Sequence, residues 1–173
     1  MTFSIRRITR AFNGRHSKVR LSAGLWQDLV RGLAERTLGV REAGAFLLAC
    51  RDAGDIAVSR VVFFDDLDPE CLTGNISLGA GVFGRLWDLC SADGLRVIAD
   101  VHTHPGSFVA QSSIDQANPM VAVAGHIAIV VPHLAHGVVT PRACGVHIYL
   151  GNHRWQSAYD RQAARLVYVG RGA

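Results

Sequence analysis

Apolar residues recur along this chain in short bursts, and the spacing within each burst predicts what it forms. Behind Ser22, the residues Trp26, Leu29, Val30 and Leu33 fall three and four apart, the period of a helix with one buried face. Ser22 is placed to cap its first turn and Gly39 to stop it. The run EAGAFLLAC at 42–50 reads as a buried strand. Residues 56–64, rich in Val and Phe, read as its hairpin partner across a turn at 52–55, and 65–75 read as a loop with room for an irregular strand. A second helix is predicted over roughly 78–91, with Val82, Leu86 and Leu89 in one stripe, Phe83 beside it, and 92–94 ending it. Residues 96–104 form the third clear strand, broken by Pro105-Gly106. A short helix over 112–118 is closed by Pro119, and strands follow at 126–131 and 144–150. Trp155 and the apolar patch 166–169 predict a tail packed onto the body. Strands outnumber helices and do not alternate strictly with them. The expected class is therefore α+β (mixed α/β), with a single central, mostly antiparallel sheet flanked by helices. With no repeat and no linker, 1–173 reads as one domain.

Composition supports a packed core. The chain has 173 residues, 49% of them apolar and only 18% charged, which excludes a disordered chain. No apolar stretch reaches the roughly 18 residues of a membrane span, so no membrane partner is expected. The first residues lack the apolar run of a secretion signal. Residues 1–20 carry Arg6, Arg7, Arg10, Arg15, Lys18 and Arg20 and no acid, and supply much of the formal net charge of +4. An organelle transit peptide shares that composition, as does a contact for nucleic acid or an acidic protein. Without stacking aromatics at fixed spacing, a solvated basic segment is preferred over nucleic-acid binding. Cys50, Cys71, Cys90 and Cys144 are too widely spaced for a metal knuckle. Cys50 and Cys90 sit in apolar periodic segments and read as buried small hydrophobes. A reducing, cytoplasmic setting is the expectation. Trp26, Phe46, Phe83 and Trp87 read as core.

The candidate chemistry lies at the end of the third strand. Residues two apart on a strand share a face, so His102 and His104 in His102-Thr103-His104 can reach one metal ion. Ser112 and Asp115, three apart on the short helix, also share a face, and the turn at 105–111 can bring them back to the histidines. Two imidazoles and a carboxylate make a three-ligand zinc site, one ion per chain, with an open position. Zinc lowers the pKa of water held there toward ~7. A glutamate outside the ligand set is the usual general base. Of Glu35, Glu42 and Glu70, Glu42 at the mouth of an apolar strand is the best placed.

These residues resemble the JAB/MPN/Mov34 metalloprotease (JAMM) family, whose signature is an upstream glutamate and then HxHPx6Sx2D. Here His102-Thr103-His104-Pro105 is followed by six residues, Ser112, two residues and Asp115. Glu42-Ala43-Gly44-Ala45-Phe46-Leu47-Leu48 is similar to the family's ExxGxLxG strand, though Gly44 comes one place early and Cys50 stands where the family often has Gly. The resemblance covers roughly 22–150 and leaves 1–21 and 151–173 outside. It implies an MPN/JAB, cytidine-deaminase-like architecture. It also implies that Ser112 hydrogen-bonds the tetrahedral oxyanion. The residues themselves offer a second reading of Ser112, as N-cap of the helix that carries Asp115.

The resemblance implies zinc hydrolysis of an amide, often the isopeptide bond of a ubiquitin-like protein. The compact length is similar to stand-alone bacterial members. Some of those act beside E1-like and E2-like enzymes in antiviral conjugation operons, and others trim sulfur-carrier proteins. A deconjugating or precursor-processing peptidase for a ubiquitin-like protein is the expectation. A catalytically silent scaffold and a peptidase for cell-wall or phage-tail peptides are the alternatives. A substrate tail would lie extended along a sheet edge, bordered by Gly106 and Ser107 or by the loop 72–78. Asp100-Val101-His102-Thr103-His104 also reads as the DxHxH of amidohydrolase barrels, but those need about 250 residues. The metallo-β-lactamase pattern fails at Gly106. Asp100 shares a face with both histidines, where it can orient one of them or make a strand-end turn contact. His16, His126, His133, His136, His147 and His153 show no comparable spacing.

Overall fold

The computed structural model describes residues 19–52, 56–73 and 76–170. Most of the basic segment at 1–20 and most of the 52–55 turn lie outside them. The chain runs β1 (Val19–Ser22), α1 (Ala23–Thr37), β2 (Gly44–Cys50), β3 (Val58–Phe63), α2 (Phe64–Leu67), α3 (Ala80–Ala92), β4 (Leu95–Thr103) and α4 (Ser113–Ala117). It continues with β5 (Ile127–Val131), two single 3-10 turns, β6 (Gly145–Gly151), β7 (Arg154–Ala158), α5 (Asp160–Leu166) and β8 (Val167–Gly170).

Six strands form one sheet in the order β3-β2-β4-β5-β6-β7. Only the β4–β5 pair is parallel, so the expected mixed α+β class with a mostly antiparallel sheet is borne out. The hairpin of β2 and β3 forms as its sequence predicts. One addition is a small parallel pair of β1 and β8. Val19 lies in β1, and the apolar 166–169 patch is its partner. The tail thus docks by strand pairing as well as by packing.

β2, β4 and β5 make the floor of the core. Every residue from Gly44 to Ala49 and all of β5 are buried. Helix α1 lays Trp26, Leu29 and Leu33 against this core, with Ser22 Oγ accepting from Leu25 N at 3.1 Å as the cap. The stop at Gly39 begins one residue earlier, because Leu38 itself takes the left-handed conformation. Helix α3 buries Val82, Leu86 and Cys90, so Leu89 yields its expected place to Cys90. Trp87 points to solvent at 46% exposure and is not core. Cys50 is likewise exposed, because β2 ends there, past the last buried residue of the strand. The 65–75 loop begins as the helical turn α2, and Leu72 forms a bridge with Ile76.

Candidate metal centre

β4 delivers the two histidines. Asp100 and His102 share a face of the strand, and His104 continues it one residue past the end. Both imidazoles are buried, and their Nε2 atoms face each other at 3.2 Å. The strand end is fixed on two sides. His104 N donates to Val131 O at 2.8 Å, Leu134 N donates to His104 O at 2.8 Å, and Thr103 N donates to Ala43 O at 2.9 Å. The buried Thr103 hydroxyl accepts from Ala43 N at 3.0 Å. This double link between Thr103 and Ala43 holds the preceding residue, Glu42, beside the histidines.

Asp115 arrives by a different device. Ser112 caps α4: its Oγ accepts from Asp115 N at 3.2 Å, and Asp115 Oδ2 accepts from Ser112 N at 2.7 Å. The reciprocal pair turns the Asp115 carboxylate inward, to 3.4 Å from His104 Nε2 and 3.7 Å from His102 Nε2. The donor atoms of His102, His104 and Asp115 all lie within 4.8 Å of one another. Among the described residues no other group of three His, Cys, Asp or Glu converges in this way.

The donor set fits a divalent cation. Phe108 O can only accept, so His104 Nδ1 must donate to it across their 3.0 Å contact, which turns Nε2 toward Asp115 and the space between them. His102 Nδ1 is buried and has no partner among the described residues. Burial pushes the Asp115 carboxyl up, but the hydrogen bonds with His102 and His104 outweigh it and hold Asp115 well below the usual range. The hydrogen bond with Asp115 raises His104. A cation at this point would take the place of the Nε2 protons in those bonds, and two imidazoles with an ionised carboxylate are ligand chemistry for zinc and similar ions.

Glu42, His102, Ser112 and Asp115 line one cleft of about 240 Å³, with Ile76, Ile114, Asn118 and Met120 completing its walls. Glu42 is outside the ligand cluster. Burial raises its carboxyl toward neutrality, against the lowering effect of His102 and His104. Larger hollows of about 540 and 450 Å³ lie elsewhere and contain no member of the cluster, so size alone does not locate the chemistry.

Asp100 orients neither cluster histidine. It pairs with His126 Nε2 at 2.6 Å, both side chains buried, across adjacent strands. His126 and His147 carried no spacing signal, yet both are buried and partnered. His147 Nδ1 meets Ser157 Oγ at 2.8 Å and its Nε2 donates to Val109 O at 3.0 Å, tying the 105–111 loop to β6. Burial lowers His147, so it stays neutral. The available signal was a histidine at the centre of the apolar run CGVHIYL. His133 and His136 are exposed, as loop histidines should be.

No protein-family model matches the chain. Its fold is shared with solved structures. A protein from Desulfitobacterium hafniense matches 88% of this chain and 92% of its own, at 14% identity and a TM-score of 0.60. A protein from Salinibacter ruber matches 82% and 89%, at 16% identity and a TM-score of 0.55. A JAB1/MPN domain protein from Archaeoglobus fulgidus matches 83% and 97%, at 15% identity and a TM-score of 0.39. Among the described residues no helix is long and apolar enough to cross a membrane.

Proposed function

We propose that this chain is a zinc-dependent metallopeptidase that hydrolyses the peptide or isopeptide bond at the C-terminus of a ubiquitin-like protein. The observation that carries the reading is the convergence of His102, His104 and Asp115, two of which, His102 and Asp115, line one cleft with a glutamate that is not part of their cluster. Their order along the chain is that of the JAMM signature. His102, His104 and Asp115 would hold the ion, which when bound supplies Lewis-acid polarisation and acidifies water. Glu42 takes the proton of the attacking water and returns it to the leaving amine. Burial raises its carboxyl, which makes it a stronger proton acceptor than a free glutamate. The Ser112 hydroxyl, at the rim of the same cleft, donates a hydrogen bond to the carbonyl oxygen as charge develops on it. Such a donor is worth about 3 kcal/mol in known sites. The cleft is small, with Ile76, Ile114 and Met120 beside its polar groups, which favours an extended, glycine-ended tail over a bulky side chain. E1-like and E2-like enzymes are the partners such a substrate implies.

Two measurements test the reading: metal content of the purified chain, and cleavage of a ubiquitin-like fusion by wild type and by Glu42→Gln. One zinc per chain is expected, with cleavage falling about 10²–10⁴-fold in the variant while zinc stays bound. A chain that takes up no metal would be a scaffold. A zinc-loaded chain that spares the fusion but cuts cell-wall peptides would keep the chemistry and lose the substrate.

A further inference from the structure

Helix α4 carries Asp115, yet none of its residues is buried. A five-residue helix without a buried face cannot be located by core packing or by its own stability. Its capping box and the bonds of the Gln116 and Asn118 side chains, to Gln111 O and Ile114 O, stay within the segment 111–118. They shape the turn but do not fix it to the sheet. Apart from the contacts of Asp115 with His102 and His104, one hydrogen bond among the described residues reaches α4 from the sheet: Trp155 Nε1 donates to Gln116 O at 3.1 Å. Trp155 lies on the edge strand β7, in the tail, and its ring packs on Tyr149 of β6 with centroids 4.8 Å apart. The same side chain lines a small cavity with Asp100, His102, Asp115 and Met120, so it also lies under the ligand cluster.

We propose that Trp155 is a positioning residue for the metal centre: its indole N–H pins the end of α4 to the sheet and so keeps Asp115 against His102 and His104. This rests on reading that cluster as a metal site. The indole does two separable things. Its ring packs at a tilt against Tyr149, a packing role that phenylalanine keeps. Its N–H anchors Gln116 O, one residue after the ligand, and phenylalanine loses this. Outer contacts of this kind typically change metal affinity by about 10–100-fold. An anchor one residue from the ligand, through a single neutral bond, belongs at the lower end.

The test compares wild type, Trp155→Phe and Trp155→Ala as full-length chains. It reads Co²⁺ affinity from its visible absorption, amide exchange, and metal-free thermal melting. For Trp155→Phe the expected result is about a tenfold loss of Co²⁺ affinity. Exchange should rise at the Gln116 and Asn118 amides, which donate within this turn, and stay unchanged along β4 and β5. The melting temperature should stay at its wild-type value. Trp155→Ala should lose at least as much affinity. Wild-type affinity in both variants would overturn the proposal, as would exchange rising equally along β4, since the tryptophan would then support the fold in general. A wild-type chain that binds no Co²⁺ would defeat the metal reading itself, an outcome distinct from binding that the variants leave intact.

Discussion

Gly44 is where a single methyl group should damage the fold and the site together. It lies opposite His102 on the neighbouring strand. A Cβ built there meets Phe64 Cε2 at 2.2 Å, Phe64 Cδ2 at 2.7 Å and the Val101 carbonyl oxygen at 2.7 Å. Neither neighbour can yield cheaply. The Phe64 ring is fully buried and tilted against Phe46 with centroids 4.8 Å apart. Val101 belongs to the β2–β4 ladder next to His102 of the candidate cluster. Overpacking a rigid core costs about 1–3 kcal/mol, and two unyielding contacts put Gly44→Ala near 3. For a chain of this size that is a drop of about 6–12 °C in melting temperature. Relief by shifting β4 would move His102 relative to Asp115, so metal affinity should fall as well. Gly84→Ala is the control: it lies within α3 with nothing within 4 Å of its added Cβ. It should raise stability by about 0.4–1 kcal/mol. Thermal melts followed by circular dichroism decide the matter. A Gly44→Ala protein melting within about 2 °C of wild type would refute the packing argument.

Two other outcomes follow from the titratable groups. In chelator, the His104–Asp115 pair should make stability depend on pH. His104 is raised, so its contribution is present below its ordinary 6.5 and lost as pH rises through the raised value. Asp115 is lowered, so its contribution is present above its ordinary 3.8 and lost as pH falls toward the depressed value. His147 is lowered by burial and runs opposite to His104, being favourable above 6.5. The difference between wild type and Asp115→Asn therefore isolates the pair. Urea melts should show a larger wild-type advantage near about pH 5.5 than near about pH 8.5, and an equal advantage at both would contradict the linkage. Asp100→Ala leaves the buried His126 Nε2 without its partner, at a cost of about 1–3 kcal/mol. It should lower the melting temperature by about 2–12 °C, whereas Asp100→Asn, which keeps an acceptor, should lose less.

What was legible in the sequence was whatever local periodicity or fixed spacing encodes. Helix α1 and its Ser22 cap, the β2–β3 hairpin and the strand ending at the histidines all rest on patterns within about two dozen residues. So does the ligand cluster, because Ser112 and Asp115 form a capping box by themselves. What escaped depends on pairing over long separations. β1 is four residues long and is a strand only because β8, near the other end of the chain, lies beside it. His126 was hidden because its partner Asp100 lies 26 residues away. Trp87 has the spacing of a core residue, but α3 turns its buried stripe toward Val82, Leu86 and Cys90. Periodicity gives the width of a buried face and leaves its rotation about the helix axis open.

Ser112 shows how the two readings of one residue are reconciled by geometry. As a cap it uses a lone pair of Oγ, which accepts from Asp115 N. As the proposed donor to a developing oxyanion it would use the hydroxyl proton, which that cap leaves free. The two roles therefore do not compete for the same hydrogen. The cap also restricts where the proton can point, since Oγ must keep its lone pair on the first turn of α4. Ser112→Thr keeps both functions in principle and adds a methyl group at the rim of the cleft. Ser112→Ala removes both, and Ser112→Gly removes the hydroxyl while keeping a tolerable cap residue, at a cost of only a few tenths of a kcal/mol to the helix. Glycine is therefore the substitution that separates them. If Ser112 acts on the substrate, Ser112→Gly holds metal as wild type does and turns over slowly; if it serves only the turn, activity follows the small loss in helix stability.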